Sequence, residues 1–316
     1  MDTRAISFRE GKAPDLRAAY ELGELSSRDG ESEHGIGAAA PRVGDPDLSA
    51  GWARERSLLE FMAAQPDGCF WVGENADGLV AYARTVRFGG MEELTELAVA
   101  PDHAGLGLGR ELLARCWPND PSPQLGRALV ASAAPRELTL YTDFGVMPAG
   151  GHWDLRQETA AYLKQRSLET DAPDPSVHVL KPELAVAEWQ RLEPGALGHE
   201  RPLLHEFFGR DRTCLARFHT EGHVLALCWV SSEGEIGPAV ASEPEHLVPV
   251  VLAALDRIAR TQAPSELGLA CTTTSWWLLR RLRGLGFRVR LPSWIMSSVP
   301  LPGLDRYVPT SPARLL

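Results

Sequence analysis

The sequence predicts a mixed α/β fold in two tandem domains, each with a mostly antiparallel, twisted sheet flanked by helices. Two observations favour this class. The chain has 316 residues, more than one hydrophobic core usually takes, so two domains are expected. The same order of strands and helices also occurs twice, and neither copy alternates strand and helix in the way that indicates a fully parallel sheet.

The first copy has the order β-α-α-β-β-β-α-β-α-β. Short apolar or alternating runs predict strands at 5–10, 69–73, 79–86, 93–99, 127–133 and 147–156. Apolar residues at helical spacing predict helices at 13–25, 48–64, 107–117 and 137–144. Between the second and third strands, Asn75, Asp77 and Gly78 predict a tight turn and therefore a hairpin.

An acidic segment with two prolines at 169–176 predicts a linker between a first domain at 1–168 and a second at 177–316. The second copy then repeats the order of the first. Its predicted strands lie at 176–182, 213–218, 223–230, 235–241, 267–272 and 294–301, and its helices at 183–192, about 248–258 and 275–287. Cys214 follows Cys69 by 145 residues (214 − 69) and Gly286 follows Gly145 by 141 (286 − 145), and this nearly constant offset predicts a duplicated domain.

Composition excludes several classes of partner. The formal charge is −10 and Lys and Arg form no block, which disfavours nucleic acid. No run approaches the roughly 20 apolar residues of a membrane span, and residues 1–12 lack the apolar core of a signal peptide. We therefore expect a cytoplasmic protein, and the many Arg, Ala, Gly and Pro residues favour a bacterial source.

The cysteines and histidines predict no metal site. The five cysteines are odd in number and widely spaced in sequence, and Cys69, Cys214, Cys228 and Cys271 lie in apolar runs. These features favour buried, reduced thiols. Since we find no metal-ligand spacing among the Cys and His residues, no metal cofactor is expected.

The most informative segment is the glycine-rich loop within residues 95–113. Gly105, Gly107 and Gly109 have no Cβ atoms, so a ligand can approach the backbone of a turn that leads into a helix. A helix N-terminus favours phosphate groups through its unpaired N–H groups and its dipole. A Walker loop requires Lys-Ser/Thr after the glycines, where this chain has Arg110-Glu111, and a Rossmann fingerprint requires G-x-G-x-x-G rather than G-x-G-x-G.

A third pattern fits better. Val99, Ala100 and Pro101 precede the glycines, and Gly107 and Gly109 end the loop. This arrangement resembles the pyrophosphate loop of the GNAT superfamily of acyl-CoA N-acyltransferases. Residues 140–146, LYTDFGV, resemble a second motif of that family, with Val146 in place of Phe, and the resemblance covers about residues 4–156. The chain departs from the family at Ala104, where Arg or Gln is usual, and at Ala134, where Asn is frequent.

The resemblance implies an enzyme that moves an acetyl group from acetyl-CoA to the primary amine of a small molecule. Tyr141 matches the residue that protonates the departing thiolate. Glu93 matches the position of a base that acts through water. Glu96, or a water chain without a single base, is the alternative. Since side chains alternate along a strand, we expect Glu93 and Glu96 to lie on opposite faces of the sheet. The implied cofactor-binding residues are Leu97, Ala98, Val99, Ala104, Gly105, Leu106, Gly107, Leu108, Gly109, Arg110 and Tyr141.

The second copy resembles the fold but lacks the site. Its segment 240–251 contains no glycine, Glu243 and Glu245 would repel a pyrophosphate, and Leu282 stands where the first copy has Tyr141. We expect this copy to bind no CoA and to serve a structural role or to shape the acceptor pocket. The expected molecule is a monomer whose two domains form a pseudo-dimer.

Several other residues allow two interpretations. His103 is interpreted either as a phosphate-contacting residue or as an exposed turn residue, and the second interpretation is favoured. His152 and Trp153 fit the border of an acceptor site or simple packing. Trp276 and Trp277 fit a core or an interface. The acidic insert at 26–51 fits a lid that attracts a cationic amine or, better, a solvated loop.

A different class of function also fits the sequence. The chain could bind acyl-CoA without catalysis, as a sensor that has lost the contacts at Ala104 and Ala134. The presence of Tyr141 and of all three loop glycines favours the enzyme, since a scaffold has no need of them.

Overall fold

The chain divides into two units in the computed structural model, which describes residues 6–33, 46–118, 125–169, 174–310 and 314–316. The first unit comprises Met1–Leu129 and Ala134–Val146, and the second comprises Val130–Ala133 and Met147–Leu316. The linker predicted at 169–176 lies partly outside the described residues, and the domain boundaries of the sequence repeat stay a prediction. The boundary between the two structural units falls at Val146, because the strand that follows Val146 pairs with strands of the second unit.

The first unit contains the elements expected of the first copy, up to its last helix. They are β1 (Ser7–Glu10), α1 (Leu16–Glu33), α2 (Pro46–Ala63), β2 (Cys69–Asn75), β3 (Gly78–Phe88), β4 (Met91–Val99), α3 (Leu108–Cys116), the start of β5 (Gly126–Ser132) and α4 (Pro135–Asp143). The strands lie in the order β1-β2-β3-β4-β5. All neighbours are antiparallel except β4 and β5, which are parallel.

Helices cover both faces of this sheet. Tyr82 of β3 and Ala98 of β4 are partners across the ladder, and both pack in one apolar cluster with Ala19 and Leu22 of α1. Neighbouring β4 residues face the other side, where α3 packs on β2 and β3. Each fully buried apolar side chain of this kind contributes about 1.5–3 kcal/mol to folding.

The second unit contains β6 (Met147–Glu158), α5 (Thr159–Ser167), β7 (Val177–Leu180), α6 (Pro182–Leu192), α7 (Pro194–Leu197), α8 (Pro202–Phe208), β8 (Thr213–Phe218), β9 (Val224–Val230), β10 (Ile236–Ala241), α9 (Pro244–Thr261), β11 (Glu266–Thr272), α10 (Trp276–Gly284), β12 (Arg288–Ser297) and β13 (Tyr307–Val308). Strand β6 lies between β12 and β11 and pairs antiparallel with both. The other strands lie in the order β13-β10-β9-β8-β7, again antiparallel. The predicted mixed α/β class is confirmed.

Helix α9 forms the centre of the core of this unit. Its buried residues include Val250, Val251, Leu255 and Ile258, and they pack with apolar residues of β8, β9 and β10. Trp276 and Trp277 are exposed, at 68% and 63% of their surface, so the core interpretation of this pair is wrong. The short helices α5, α7 and α8 were not predicted, because four to nine residues leave little length in which a helical apolar period can show.

None of the helices in the described part of the chain combines the length and the apolar character that a bilayer span requires. Within the acidic insert predicted as a lid or a loop at 26–51, residues 34–45 lie outside the residues that the structure describes. Residues 26–33 belong to α1 and 46–51 to α2, so these two parts are helical rather than loop.

Candidate functional site

The glycine loop of the first unit leads directly into α3. After β4 ends at Val99, residues 101–103 form one short 3-10 turn, and Gly107 is the residue that precedes α3. Gly105 and Gly107 have φ angles of +82° and +83°, a left-handed conformation that glycine adopts without steric cost. A Cβ atom added to Gly107 would meet no described atom within 4 Å. The first N–H groups of α3 therefore open toward unfilled space, as an anion site requires.

His103 holds this loop in place. Its Nδ1 lies 2.7 Å from the carboxylate of Asp102, and its Nε2 lies 3.4 Å from the Asn75 side-chain amide in the β2–β3 turn. Both ring nitrogens thus have protein partners. These contacts favour the interpretation of His103 as a turn residue over that of a phosphate ligand.

The backbone of β4 continues beyond its pairing with β5. The two strands pair in parallel from Met91–Gly126 to Leu94–Leu129, and β4 then runs on to Val99. On its other edge, β4 stays paired with β3 as far as Val99. The Val99 carbonyl accepts a hydrogen bond of 3.3 Å from Ser26 of α1. The segment Leu97–Val99, which the resemblance assigns to the pantetheine arm, therefore lies past the last β4–β5 rung.

A β-bulge changes the orientation of the two candidate carboxylates. Leu94 pairs with Thr85 and Glu96 with Arg84, so Thr95 is an extra residue in β4. Glu93 and Glu96 consequently share one face of the sheet. The prediction that they face opposite sides is wrong, because it assumed an uninterrupted alternation.

The surroundings of Glu96 are clear. It is buried and forms an ion pair of 3.2 Å with Arg84, which is itself buried. Its second carboxylate oxygen accepts a hydrogen bond of 3.1 Å from Tyr82. Glu93 is also buried, with 2% of its surface exposed.

Helix α4, which contains Tyr141, packs next to the start of α3. A Cβ on Gly109 of α3 would lie 3.7 Å from Leu140 and 3.8 Å from Leu97, so α3, α4 and β4 meet at this point. Tyr141 follows Leu140 and is 6% exposed. Burial, and secondarily the Glu137 carboxylate, raise the pKa of the Tyr141 hydroxyl well above its ordinary value. The phenol therefore keeps its proton at neutral pH.

The structure also places a cation that sequence reasoning missed. The Arg136 guanidinium of α4 lies beside the loop, since its Nη2 is 3.4 Å from the position that a Cβ on Gly105 would take. Arg136 is exposed. The side chain of Arg110, which the resemblance assigned to the cofactor, pairs with Asp143. A signal for Arg136 is absent from the loop motif, because α4 comes next to Gly105 only after folding.

The corresponding junction of the second unit is built differently. Only Ser242 and Glu243 connect β10 to α9, and Pro244 is the first residue of the helix. Glu243 precedes the helix in an extended conformation and Glu245 lies in its first turn. Leu282 is fully buried. Within residues 236–261 the structure has no glycine-lined loop at a helix N-terminus.

The pair His152 and Trp153 lies on β6 of the second unit. His152 is 3% exposed, and its Nδ1 lies 2.9 Å from Ser293. Burial lowers its pKa to about 4. Trp153 packs against the core of the second unit, which favours the packing interpretation for this residue.

Comparisons with known proteins agree with this geometry. A family model described as the acetyltransferase (GNAT) domain matches residues 66–146. A candidate acetyltransferase from Pyrococcus horikoshii has a similar structure, with a TM-score of 0.68 and 14% identity over 97% of this chain and 94% of that one. No curated protein matches the chain in sequence.

Two further solved structures share the fold. A tandem GNAT protein from the clavulanic acid biosynthesis pathway matches with a TM-score of 0.61 and 14% identity over 94% of this chain and 99% of that one. A GCN5-related N-acetyltransferase from Sphaerobacter thermophilus matches with a TM-score of 0.58 and 15% identity over 94% and 96%. The chain therefore has the fold of the GNAT superfamily, and its first unit carries the matched domain.

Proposed function

We propose that the first unit of this GNAT-fold chain transfers an acetyl group from acetyl-CoA to a primary amine of a small molecule. The matched domain supports acyltransferase chemistry in general. The observation that carries the proposal is the loop in which Gly105 and Gly107, both with positive φ, open the N-terminus of α3 to an anion. A pyrophosphate is the anion that an acyl-CoA presents.

The residues of the loop fit the cofactor. The N–H groups of residues 105–110 would hold the pyrophosphate, and the backbone of Leu97–Val99 would pair with the pantetheine arm. Ala104 has no side chain that could reach a phosphate, but the Arg136 guanidinium lies beside Gly105. We infer that Arg136 supplies the side-chain phosphate contact that the usual Arg or Gln makes in this family.

The reaction needs two proton transfers. As the amine nitrogen attacks the thioester carbonyl, the C–N bond forms, the C–S bond breaks and the amine loses a proton. The departing CoA thiolate takes a proton from Tyr141. The raised pKa of Tyr141 keeps its hydroxyl protonated over the neutral range, as a donor must be.

Glu93 is our candidate for the base, acting through water. Glu96 is already committed to Arg84 and Tyr82, so we assign it to the positioning of the strand. The two glutamates lie on the same strand and the same face, on either side of the Thr95 bulge. They therefore form a matched pair for mutagenesis.

The proposal is tested by binding and turnover measured together. Calorimetry with acetyl-CoA should show one site per chain, and a panel of primary amines should yield free CoA thiol. Two equivalent sites, or none, would contradict the assignment to the first unit. Saturable binding without turnover on any amine would instead favour the alternative of a non-catalytic acyl-CoA-binding protein, to which the substitutions at Ala104 and Ala134 point.

The base is tested by a pair of isosteric variants. Glu93→Gln should lower turnover on the order of 10²-fold and leave folding and acetyl-CoA affinity nearly unchanged. Glu96→Gln should instead lower the free energy of unfolding by about 3–5 kcal/mol, because the buried Arg84 loses its carboxylate partner. If Glu96→Gln is stable and inactive while Glu93→Gln is active, the two roles are reversed.

A further inference from the structure

The β8–β9 hairpin of the second unit brings two histidines together. Phe218 pairs with Val224, and the N–H of His219 donates to the carbonyl of His223 over 2.8 Å. Gly222 has a φ of +90°, which a three-residue hairpin loop commonly requires at this position. Since residues opposite each other in a hairpin share a face, the two imidazoles lie on the same side.

The two rings and one carboxylate form a compact group of ligand atoms. The ring centroids of His219 and His223 are 4.4 Å apart, with 20° between the planes. One ligand atom from each of His219, Glu221 and His223 lies within 4.8 Å of the others. The N–H of Glu221 donates to His219 Nδ1 over 3.2 Å, which orients that ring over the loop.

These distances fit a small divalent ion after minor adjustment. Zn²⁺ binds imidazole nitrogen and carboxylate oxygen at about 2.0–2.2 Å, so tetrahedral ligand atoms lie about 3.4 Å apart. Rotations of exposed side chains can close the remaining gap of roughly 1 Å. All three residues are exposed, so an ion can reach them directly from solvent.

The charges near the hairpin also favour a cation. His246 of α9 lies close enough to His219 for the two rings to interact electrostatically. Glu243 and Glu245, at the start of the same helix, also interact electrostatically with His246. Two cations lie near the hairpin, and both have partners. Arg217 is bound to Asp174 and to His246. Arg191 donates to the Val224 carbonyl and pairs with Glu188. The carboxylates named around the hairpin still outnumber these two cations: Asp174, Glu188, Glu221, Glu243 and Glu245.

We propose that His219, Glu221 and His223 bind one divalent transition-metal ion of the Zn²⁺ class at the tip of this hairpin. Two imidazoles and a carboxylate are a ligand set that suits Zn²⁺, Ni²⁺ and Cu²⁺ better than Mg²⁺ or Ca²⁺. Three protein ligands leave a coordination position for water or another group. The site is separate from the glycine loop and was not expected from the sequence, where the spacing by itself does not show that both rings share a face.

The experiment is calorimetric titration of the chelator-treated full chain with Zn²⁺. We expect one saturable site whose affinity falls about tenfold or more in each of His219→Ala and His223→Ala. His178→Ala is the matched control, because His178 is an exposed histidine outside the cluster, and it should leave the affinity unchanged. Cu²⁺ bound to the parent chain should give an EPR spectrum with nitrogen ligands that the double variant His219→Ala, His223→Ala loses.

Two results would overturn the proposal. The first is no saturable Zn²⁺ binding by the parent chain. The second is Zn²⁺ binding that persists with the parent's affinity in the double variant, since the ion would then lie elsewhere. Circular dichroism of each variant shows whether the fold is retained, which the exposure of these side chains leads us to expect.

Discussion

The two strand-to-helix junctions of this chain differ in the backbone that each presents at the helix N-terminus. In the first unit, eight residues (100–107) separate β4 from α3, and two of them are glycines with positive φ. In the second unit, two residues (242–243) separate β10 from α9, and one of them is Glu243. Glycines precede α3, although Glu111 lies in its first turn, whereas Glu243 directly precedes α9 and Glu245 lies in its first turn.

The comparison teaches that a helix N-terminus alone does not make an anion site. Both helices have a dipole and unpaired N–H groups. Only the first junction has backbone that can converge on a ligand without Cβ atoms in the way. In the second, Pro244 removes one N–H group and Glu243 and Glu245 add negative charge. The order of elements can therefore be retained while the site is lost.

Replacement of Gly107 should produce the largest effect. Gly107→Val forces a branched residue to a φ of +83° and fills the open space before α3, so acetyl-CoA binding should be abolished, with a stability loss within a few kcal/mol. Glu243→Gly should create no new site in the second unit. Thermal-shift titration with acetyl-CoA measures both.

The control for this prediction is Gly222→Val, which imposes the same strain at a φ of +90° in the second unit. Acetyl-CoA should raise the melting temperature of this variant as much as it raises that of the parent. If Gly107→Val were stabilised by acetyl-CoA as much as the parent is, the anion would bind elsewhere and the proposed loop site would have to be abandoned.

Acidic pH should lower the stability of the second unit strongly. Burial lowers the pKa of His152 to about 4 from an ordinary 6.5, and it also lowers the pKa of His205. The unfolded chain therefore binds protons more readily, so the contribution of His152 to stability is complete above pH 6.5 and is lost as the pH falls toward 4. The difference between the folded and unfolded pKa values of His152 corresponds to a loss of roughly 3 kcal/mol in the free energy of unfolding.

Urea unfolding at a series of pH values, followed by hydrogen exchange in each unit, measures this effect. His152→Gln should remove the share of the decline between pH 6.5 and 4 that belongs to His152, leaving that of His205, and His178→Gln should remove none of it. Glu193, whose pKa is lowered to about 2, stabilises the fold above pH 4.5, and this stability is lost only as the pH falls from 4.5 toward 2. An unchanged decline in His152→Gln would assign the acid sensitivity to other groups.

Tyr141 and Leu282 occupy matching positions in the two copies. Tyr141→Phe removes only the hydroxyl, so turnover should fall on the order of 10²-fold while acetyl-CoA affinity stays nearly constant. Leu282→Tyr in the second unit should restore nothing, because that unit lacks the glycine loop. Steady-state release of CoA thiol, with calorimetry for affinity, tests both. A pH-independent, unchanged rate for Tyr141→Phe would reduce Tyr141 to a packing residue.

Arg136 should have the smallest effect of the four. Arg136→Ala removes a cation beside Gly105, and acetyl-CoA affinity should fall about tenfold, or about 1.4 kcal/mol. The loss should shrink as salt is added. Arg56→Ala, which removes an exposed charge paired with Glu60 on α2, is the matched control. Equal affinities for the two variants would show that the backbone alone holds the phosphates.

Much of the fold could be predicted because periodicity is a local property. The hairpin of β2 and β3, the two strand-to-helix junctions and the duplicated order of elements agree with the structure. Some bounds differ: α1 was predicted to end at residue 25 and ends at Glu33, and the strand predicted at 294–301 is β12 at Arg288–Ser297. For α9 the spacing predicts an apolar face made of Val248, Val251, Leu252, Leu255 and Ile258. The buried face is shifted from it, since Val248 and Leu252 are only partly buried while Leu247 and Val250 are fully buried. Apolar runs on several sides of one helix do not show which side the sheet covers.

The candidate site was only partly accessible to sequence reasoning. The glycine loop stands out because three glycines within residues 105–109 lead directly into a helix, and Tyr141 stands out because its surrounding segment resembles a family motif. The assignments of Tyr141, Glu93 and the loop residues to catalysis and cofactor binding stay predictions. The relation between Glu93 and Glu96 was wrong, since one extra residue at Thr95 reverses the alternation of the strand.

The sequence by itself determined the order of the elements, the glycine-rich junction in the first copy and its loss in the second. These depend on residues within a few positions of one another, where steric freedom and apolar spacing act directly. The tertiary structure alone decided that Arg136 lies beside Gly105, that Glu96 pairs with Arg84, and that His219 and His223 share one face. Each of these requires a particular register or packing of helices on the sheet, and the burial of the whole core, rather than any local pattern, selects that register.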